Sequence, residues 1–171
     1  LAARYARAVP GSGPGSVSLR ILDSGLLATV QDRGRIGYAH LGVPRAGAVD
    51  ATAATLANRI VGNPPEAALI ELTLSGGSFE TTQAHLIAVT GARATVTIGG
   101  RERAFAEPVS VPAYASVRIG PAAGGARTYV AIAGGIDVPA VLGSRSTDTL
   151  GGLGPAVLRA GAVLPVGTER H

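Results

Sequence analysis

The chain reads as a mainly β domain, a barrel or sandwich of short strands that carries one clear helix. Three observations predict this. Apolar and polar residues alternate in short runs over most of the length, and turn signals recur about every 8–12 residues. Only one stretch, residues 50–61, has its apolar residues at helical spacing. Gly99-Gly100, between two alternating runs, spells a two-residue hairpin.

The elements follow in order. Leu1 to Ser16 ends in PGSGPGS, a flexible linker composition, and is set apart from a domain over residues 17–171. Val17, Leu19 and Ile21 alternate with polar residues and give a first strand; Asp23-Ser24-Gly25 turns it into Leu26 to Val30. The helix has Asp50 as its N-cap, with Ala53, Leu56, Ala57, Ile60 and Val61 on one stripe. Gly62 and Pro64-Pro65 stop it. Strands are then expected at 68–74, 78–82, 85–90, 94–98, 101–105, 109–111, 116–119, 127–133 and 162–166.

Composition removes several kinds of chemistry. All 15 basic residues are arginine, and there is neither lysine nor cysteine. A Walker A loop, a Schiff base, a serine–lysine amidase centre and a biotinylated lysine therefore cannot be built from this chain. Thiolate nucleophiles and cysteine-ligated zinc go the same way. His40, His85 and His171 are too far apart to spell a metal site. The net charge is +4, but the arginines are dispersed and aromatics make up 4%, which argues against a nucleic-acid surface. No apolar run approaches the ~18 residues of a membrane span, and a cytoplasmic protein is expected. There is no methionine, so a processed chain or part of a longer one is expected.

Between strand and helix lies the densest polar cluster, Gln31-Asp32-Arg33-Gly34-Arg35, followed by Gly37, Gly42 and Gly47. A buried strand that runs into acids, arginines and glycines delivers polar groups to a rim or cleft. The alternative is a solvated loop in which Asp32 and Arg35 pair with each other. A second polar loop, Gly143-Ser144-Arg145-Ser146-Thr147, follows the apolar strand that ends in Gly134-Gly135-Ile136-Asp137. Its hydroxyls, amides and arginine suit an anion or carboxylate. Glu71, inside Leu69-Ile70-Glu71-Leu72, is either paired in a buried strand or on a wet face with Leu69 and Thr73.

Several of these motifs resemble one family. V-Q-D-x-G-R-x-G-Y, G-V-P-x-x-G-A-x-D and A-N-x-x-V-G-N-P appear in that order, then Glu71 to Leu74, Thr90-Gly91-Ala92, Tyr129 to Asp137 and Leu142 to Thr147. Together they resemble the allophanate hydrolase subunit 2 family over Val17 to about Val166. The family includes the C component of bacterial 5-oxoprolinase, part of the carboxyltransferase region of urea carboxylase, and antagonists of a sporulation kinase inhibitor. The resemblance implies a cyclophilin-like β-barrel, here the N-terminal part of a longer protein. It also implies work inside a complex with two partners. One is an allophanate hydrolase subunit 1-like protein, the B component of 5-oxoprolinase, and the other is the A component.

Under that resemblance the first reading is a subunit of an ATP-dependent 5-oxoprolinase that opens 5-oxo-L-proline to L-glutamate, with ATP bound in the complex. An unstrained lactam is a poor electrophile, and phosphorylation of its oxygen prepares it for attack by water. Asp32 and Arg35 are the catalytic candidates, as proton handler and carboxylate or carboxyphosphate clamp. Gln31, Arg45, Asp50, Ser144, Arg145, Ser146 and Thr147 are assigned to substrate binding. Gly34, Gly37, Gly47, Asn58, Asn63, Glu71, Gly134 and Gly135 are assigned structural roles, with Glu71 expected to hold the loop of Arg33 to Arg45. The alternatives are a carboxyltransferase domain served by carboxybiotin on another chain, and a non-catalytic antagonist of a kinase-inhibitor-like partner.

Overall fold

The structure, a computed structural model, describes residues 18–168. The segment expected to be a flexible linker lies outside the described residues. Strands β1 (Ser18–Asp23) and β2 (Leu27–Gln31) precede helix α1 (Ala51–Ile60). Next come β3 (Leu69–Thr73), β4 (Gly77–Thr81), β5 (His85–Arg93), β6 (Val96–Ile98) and β7 (Arg101–Arg103). The last four are β8 (Val109–Val111), β9 (Ser116–Ile119), β10 (Ala123–Ile132) and β11 (Val163–Pro165). A short 3-10 turn at Ala39–Leu41 was not expected from the pattern. Gly99 and Gly100 form the β6–β7 hairpin turn, with Ile98 paired to Arg101.

Among the described residues the protein is mainly β with one α-helix, and its strands form two antiparallel sheets rather than a single closed barrel. One sheet runs β11-β1-β4-β9-β6-β7 and the other β2-β3-β10-β5-β8. The seam on the β2 side is bridged by irregular backbone. Thr147 N donates to Val30 O and Leu158 N to Ala28 O, after which the chain crosses to pair β11 with β1. The bridging stretch contains GGLGP and a further glycine at 161, and proline and glycine do not sustain a ladder there.

Three layers result. Leu19, Ile21, Phe79, Val117 and Ile119 from the first sheet pack against Val30, Ile70, Ile87, Val130 and Ile132 from the second. The other face of the second sheet meets α1, where Ala53, Ala54, Ala57 and Val61 cover Leu69, Ala88, Tyr129 and Ala131. With both faces covered, β3 and the end of β10 are buried along their length. Each large side chain removed from water contributes about 2 kcal/mol.

Two asparagines tie the end of α1 to the sheet. Asn63 Nδ2 donates to Ile132 O at 2.7 Å and to Asn58 Oδ1 at 3.2 Å, while its Oδ1 accepts from Gly134 N at 2.9 Å. Asn58 Nδ2 donates to Ala67 O. Asn63→Ala strands a buried donor and a buried acceptor, so the free energy of unfolding is expected to fall by about 2 kcal/mol. Denaturant titration with an unchanged slope checks this; a loss under about 0.5 kcal/mol would mean these bonds contribute little.

Candidate functional site

The end of β2 and the loop at 141–154 build the site together. β2 carries Gln31 to the sheet edge, and the chain after it folds back on itself. Arg35 N donates to Arg45 O and Ala48 N to Asp32 O. Gly34 permits this closure: at φ +80° a side chain there would run into the carbonyls of Arg45 and Ala46. The second loop reverses tightly, with Val141 and Ser144 bonded in both directions, and so presents Ser144, Arg145 and Ser146 to the first.

Asp32 is where the two loops meet. Its Oδ1 accepts from Ser144 Oγ and Ser146 Oγ, both at 2.6 Å, and from Gly34 N at 2.7 Å. Its Oδ2 accepts from Arg145 N at 2.6 Å, and its own N–H donates to Ser146 Oγ. Burial raises its pKa, but the four hydrogen bonds outweigh burial and hold the carboxyl below its ordinary value of 3.8. An ionised carboxylate with this many donors is a poor base and a good clamp.

Arg35 is not Asp32's ion-pair partner. It is 1% exposed, and its Nη2 donates to Ser146 O at 2.6 Å, so it braces the second loop from below. Gly154 leaves it room, since a Cβ there would sit 2.6 Å from Arg35 Nη2. Gln31 Nε2 reaches Thr147 O, and Thr147 Oγ1 accepts from Val30 N. Gln31, Asp32, Arg35, Ser144, Ser146 and Thr147 thus come together as one cluster.

Other expected site residues sit elsewhere. Arg145 gives its backbone to the cluster, while its guanidinium bonds Asp137 Oδ1 and Val138 O. There it lines a cleft of about 360 Å³ with Asn63, Glu66 and Gly134 to Asp137. Asp50 caps α1, its carboxylate accepting from Ala53 N at 2.9 Å. Arg45 is exposed and bonds Arg33 O. It lines a pocket of about 220 Å³ with Arg35, Ile36, Gly37, Ala39 and Val43.

Glu71 is 6% exposed, because the face it shares with Leu69 is the one covered by α1. It accepts from Val49 N at 3.0 Å and from Arg127 Nε at 3.2 Å. It therefore holds the approach to α1 rather than the loop of Arg33 to Arg45. Beside it in register, the Tyr129 hydroxyl accepts from Asp50 N, and burial with the neighbouring Glu71 and Asp50 charges raises its pKa.

The pattern reading missed Asp148, whose Oδ1 accepts from Leu150 N and Gly151 N, both at 3.0 Å. An aspartate opening Asp148-Thr149-Leu150-Gly151-Gly152 was a legible turn signal. Among the described residues, no group of three His, Asp or Glu is placed to hold a metal ion. None of the described helices is long and apolar enough to cross a membrane.

The fold and this two-loop cluster define a carboxyltransferase-type domain. The profile of the family described as "Carboxyltransferase domain, subdomain A and B" matches residues 41–171, and the chain belongs to that family. It is 43% identical over 151 residues to urea amidolyase of Saccharomyces cerevisiae, covering 86% of this chain and 8% of that protein. It is 36% identical over 156 residues to the C component of 5-oxoprolinase from Escherichia coli, covering 90% of this chain and 50% of that one. A crystal structure of Kluyveromyces lactis urea carboxylase superposes with a TM-score of 0.86 at 36% identity, over 92% of this chain and 14% of the other. The chain thus spans half the length of the bacterial relative and a small part of the yeast one.

Asp32→Asn keeps one acceptor but sets an amide N–H₂ against one of the donors. Stability at neutral pH is expected to drop by about 3 kcal/mol. Because the folded pKa lies below the unfolded one, the wild-type advantage holds from neutral pH down to the ordinary carboxyl range. It shrinks as pH falls further, through the folded value. Denaturation of both proteins from pH 7 to pH ~2.5 tests this; a gap that closes above about pH 5 excludes Asp32 as the titrating group.

Proposed function

We propose that this chain is the substrate-positioning part of one subunit in an ATP-dependent 5-oxoprolinase complex. That complex hydrolyses 5-oxo-L-proline to L-glutamate, with partners resembling the A and B components of bacterial 5-oxoprolinase. The observation that carries the reading is the small pocket beside the two-loop cluster. Ile36, Ala39 and Val43 give it apolar walls, Arg45 stands in its lining, and its size of about 220 Å³ suits a five-membered ring bearing a carboxylate. Identity to the C component of a bacterial 5-oxoprolinase over 90% of the chain supports it.

In this reading Arg45 takes the substrate carboxylate, while Asp32 fixes the relative position of the two loops as a positioning residue. The second loop does not fit a triphosphate: Ser144 Oγ, Ser146 Oγ and the Arg145 amide are all engaged by Asp32. Nucleotide binding is therefore assigned to the partner proteins. ATP, when bound there, supplies the activation of the lactam oxygen.

A second reading is favoured by the family description and by the urea amidolyase identity. Here the same pocket orients an amide for carboxyl transfer from carboxybiotin carried on another chain.

The protein in its native assembly is expected to release glutamate from 5-oxoproline only with ATP. Arg45→Ala is expected to raise KM about tenfold with a smaller effect on kcat. No glutamate release, with avidin-sensitive ATP use on urea, would instead establish carboxyl transfer.

A further inference from the structure

Arg145 is used twice. Its amide completes the shell of donors around Asp32, while its guanidinium leaves the two-loop cluster and lines a separate cleft of about 360 Å³. That volume suits one small molecule. Glu66 and Asp137 bring two carboxylates to the same lining, and Pro64 and Ala67 give it an apolar wall. The pocket at Arg45 shares none of these residues.

The polar capacity left in the cleft is specific. Four backbone donors along it are spent: Gly134 N on Asn63 Oδ1, Gly135 N on Ile132 O, Ile136 N on Ala68 O and Asp137 N on Pro165 O. Arg145 gives Nε to Val138 O at 2.7 Å and Nη2 to Asp137 Oδ1 at 2.9 Å, which leaves Nη1. Asp137 keeps its second oxygen, and Glu66 makes no ion pair among the described residues. Two carboxylates against one guanidinium leave this lining with one net negative charge.

A guanidinium and a carboxylate 2.9 Å apart complement a carboxylate and an ammonium carried on one carbon. Glu66 complements a second cation, and a hydrocarbon stem between the two ends has Pro64 and Ala67 to lie on. An acidic ligand would meet a surplus of like charge.

We propose that this cleft binds a basic α-amino acid of the lysine type. The α-carboxylate accepts from Arg145 Nη1, the α-ammonium donates to Asp137, and the side-chain cation pairs with Glu66. The assignment is independent of the reaction proposed above. Its ligand is held by the residue whose amide donates to Asp32 Oδ2 at 2.6 Å, so occupancy of the cleft is felt at the two-loop cluster.

The test is titration of the whole chain with L-lysine, followed through the amide resonances by NMR. L-Norleucine drops the side-chain cation, cadaverine drops the carboxylate, and L-glutamate reverses the charge of the side chain. L-Lysine is expected to shift the amides of Gly135, Asp137 and Arg145. It is expected to bind about fivefold more tightly than L-norleucine or cadaverine, the upper range for a solvent-exposed charge pair, and L-glutamate is expected to bind most weakly. Glu66 is exposed, and Glu66→Gln is expected to bring L-lysine down to the affinity of L-norleucine while leaving L-norleucine unchanged.

Equal binding of L-norleucine, or full L-lysine affinity in Glu66→Gln, overturns the site. So does equal or tighter binding of cadaverine, which would mark an acidic patch only. Preference for L-glutamate, shifts confined to residues outside the cleft, or no binding of L-lysine would overturn it as well. The comparison of ligands on the wild-type chain decides the matter even if the variant misfolds.

Discussion

One carboxylate organises the functional end of this molecule. Asp32 lies at the end of a strand, where a sheet edge would otherwise expose backbone, and it collects donors from Gly34 on its own loop and from Ser144, Arg145 and Ser146 on another. Those contacts span more than a hundred residues of sequence. Once the second loop is fixed, Thr147 falls into place beside Val30 and supplies the edge of β2 with backbone and hydroxyl partners. The seam between the two sheets thus depends on a side chain whose own requirement is that its charge be solvated by protein. Hydrogen bonds to a charged group are stronger than neutral ones, so a single residue can hold two irregular loops that lack regular structure of their own.

A second polar row performs the same service for the helix. Thr29, Glu71, Tyr129 and Thr90 stand side by side across the second sheet, on the face turned to α1. Glu71 takes Val49 N, Tyr129 takes Asp50 N, and Thr90 Oγ1 donates to Ala53 O. Alanines dominate the helix face, so its apolar contact is thin and offers little to fix position along the sheet. The polar row supplies that register: each of its bonds is directional, and each would be costly to leave unmade under the helix.

Much of this could be read in the sequence, and what could not has a common cause. Strands β8 and β9, the β6–β7 hairpin and the helix with its Asp50 cap follow from local patterns, and local patterns are what alternation and capping report. The openness of the sheets was not legible, because closure along a seam depends on which distant segments meet. Glu71 shows the same limit: alternation placed it with Leu69 and Thr73 on one face, but only the packing of α1 reveals that this face is buried. The polar cluster around Asp32 was visible as a cluster. Its wiring was not, since an Asp-x-x-Arg spacing is equally compatible with a local ion pair and with two residues bonded separately to a third segment.

The arginines carry the last step. With no lysine in the chain, all 15 strongly basic side chains are arginines, which keep their charge whatever their surroundings. Arg20, Arg127 and Arg145 settle this conventionally, each beside an acid: Glu80, Glu71 and Asp137 respectively. Arg35 does not, although it is the most deeply buried of the four. A lysine in its place could neutralise itself on burial; an arginine cannot. The two loops therefore enclose a permanent cation whose Nη2 donates to Ser146 O, while Asp32 is already saturated by its own four donors. Burying such a charge is costly, and the fold offsets it with the rest of its packing. The same requirement, that a buried charge find polar partners, makes Asp32 a clamp held by four donors and Arg35 a brace against the carbonyl of Ser146.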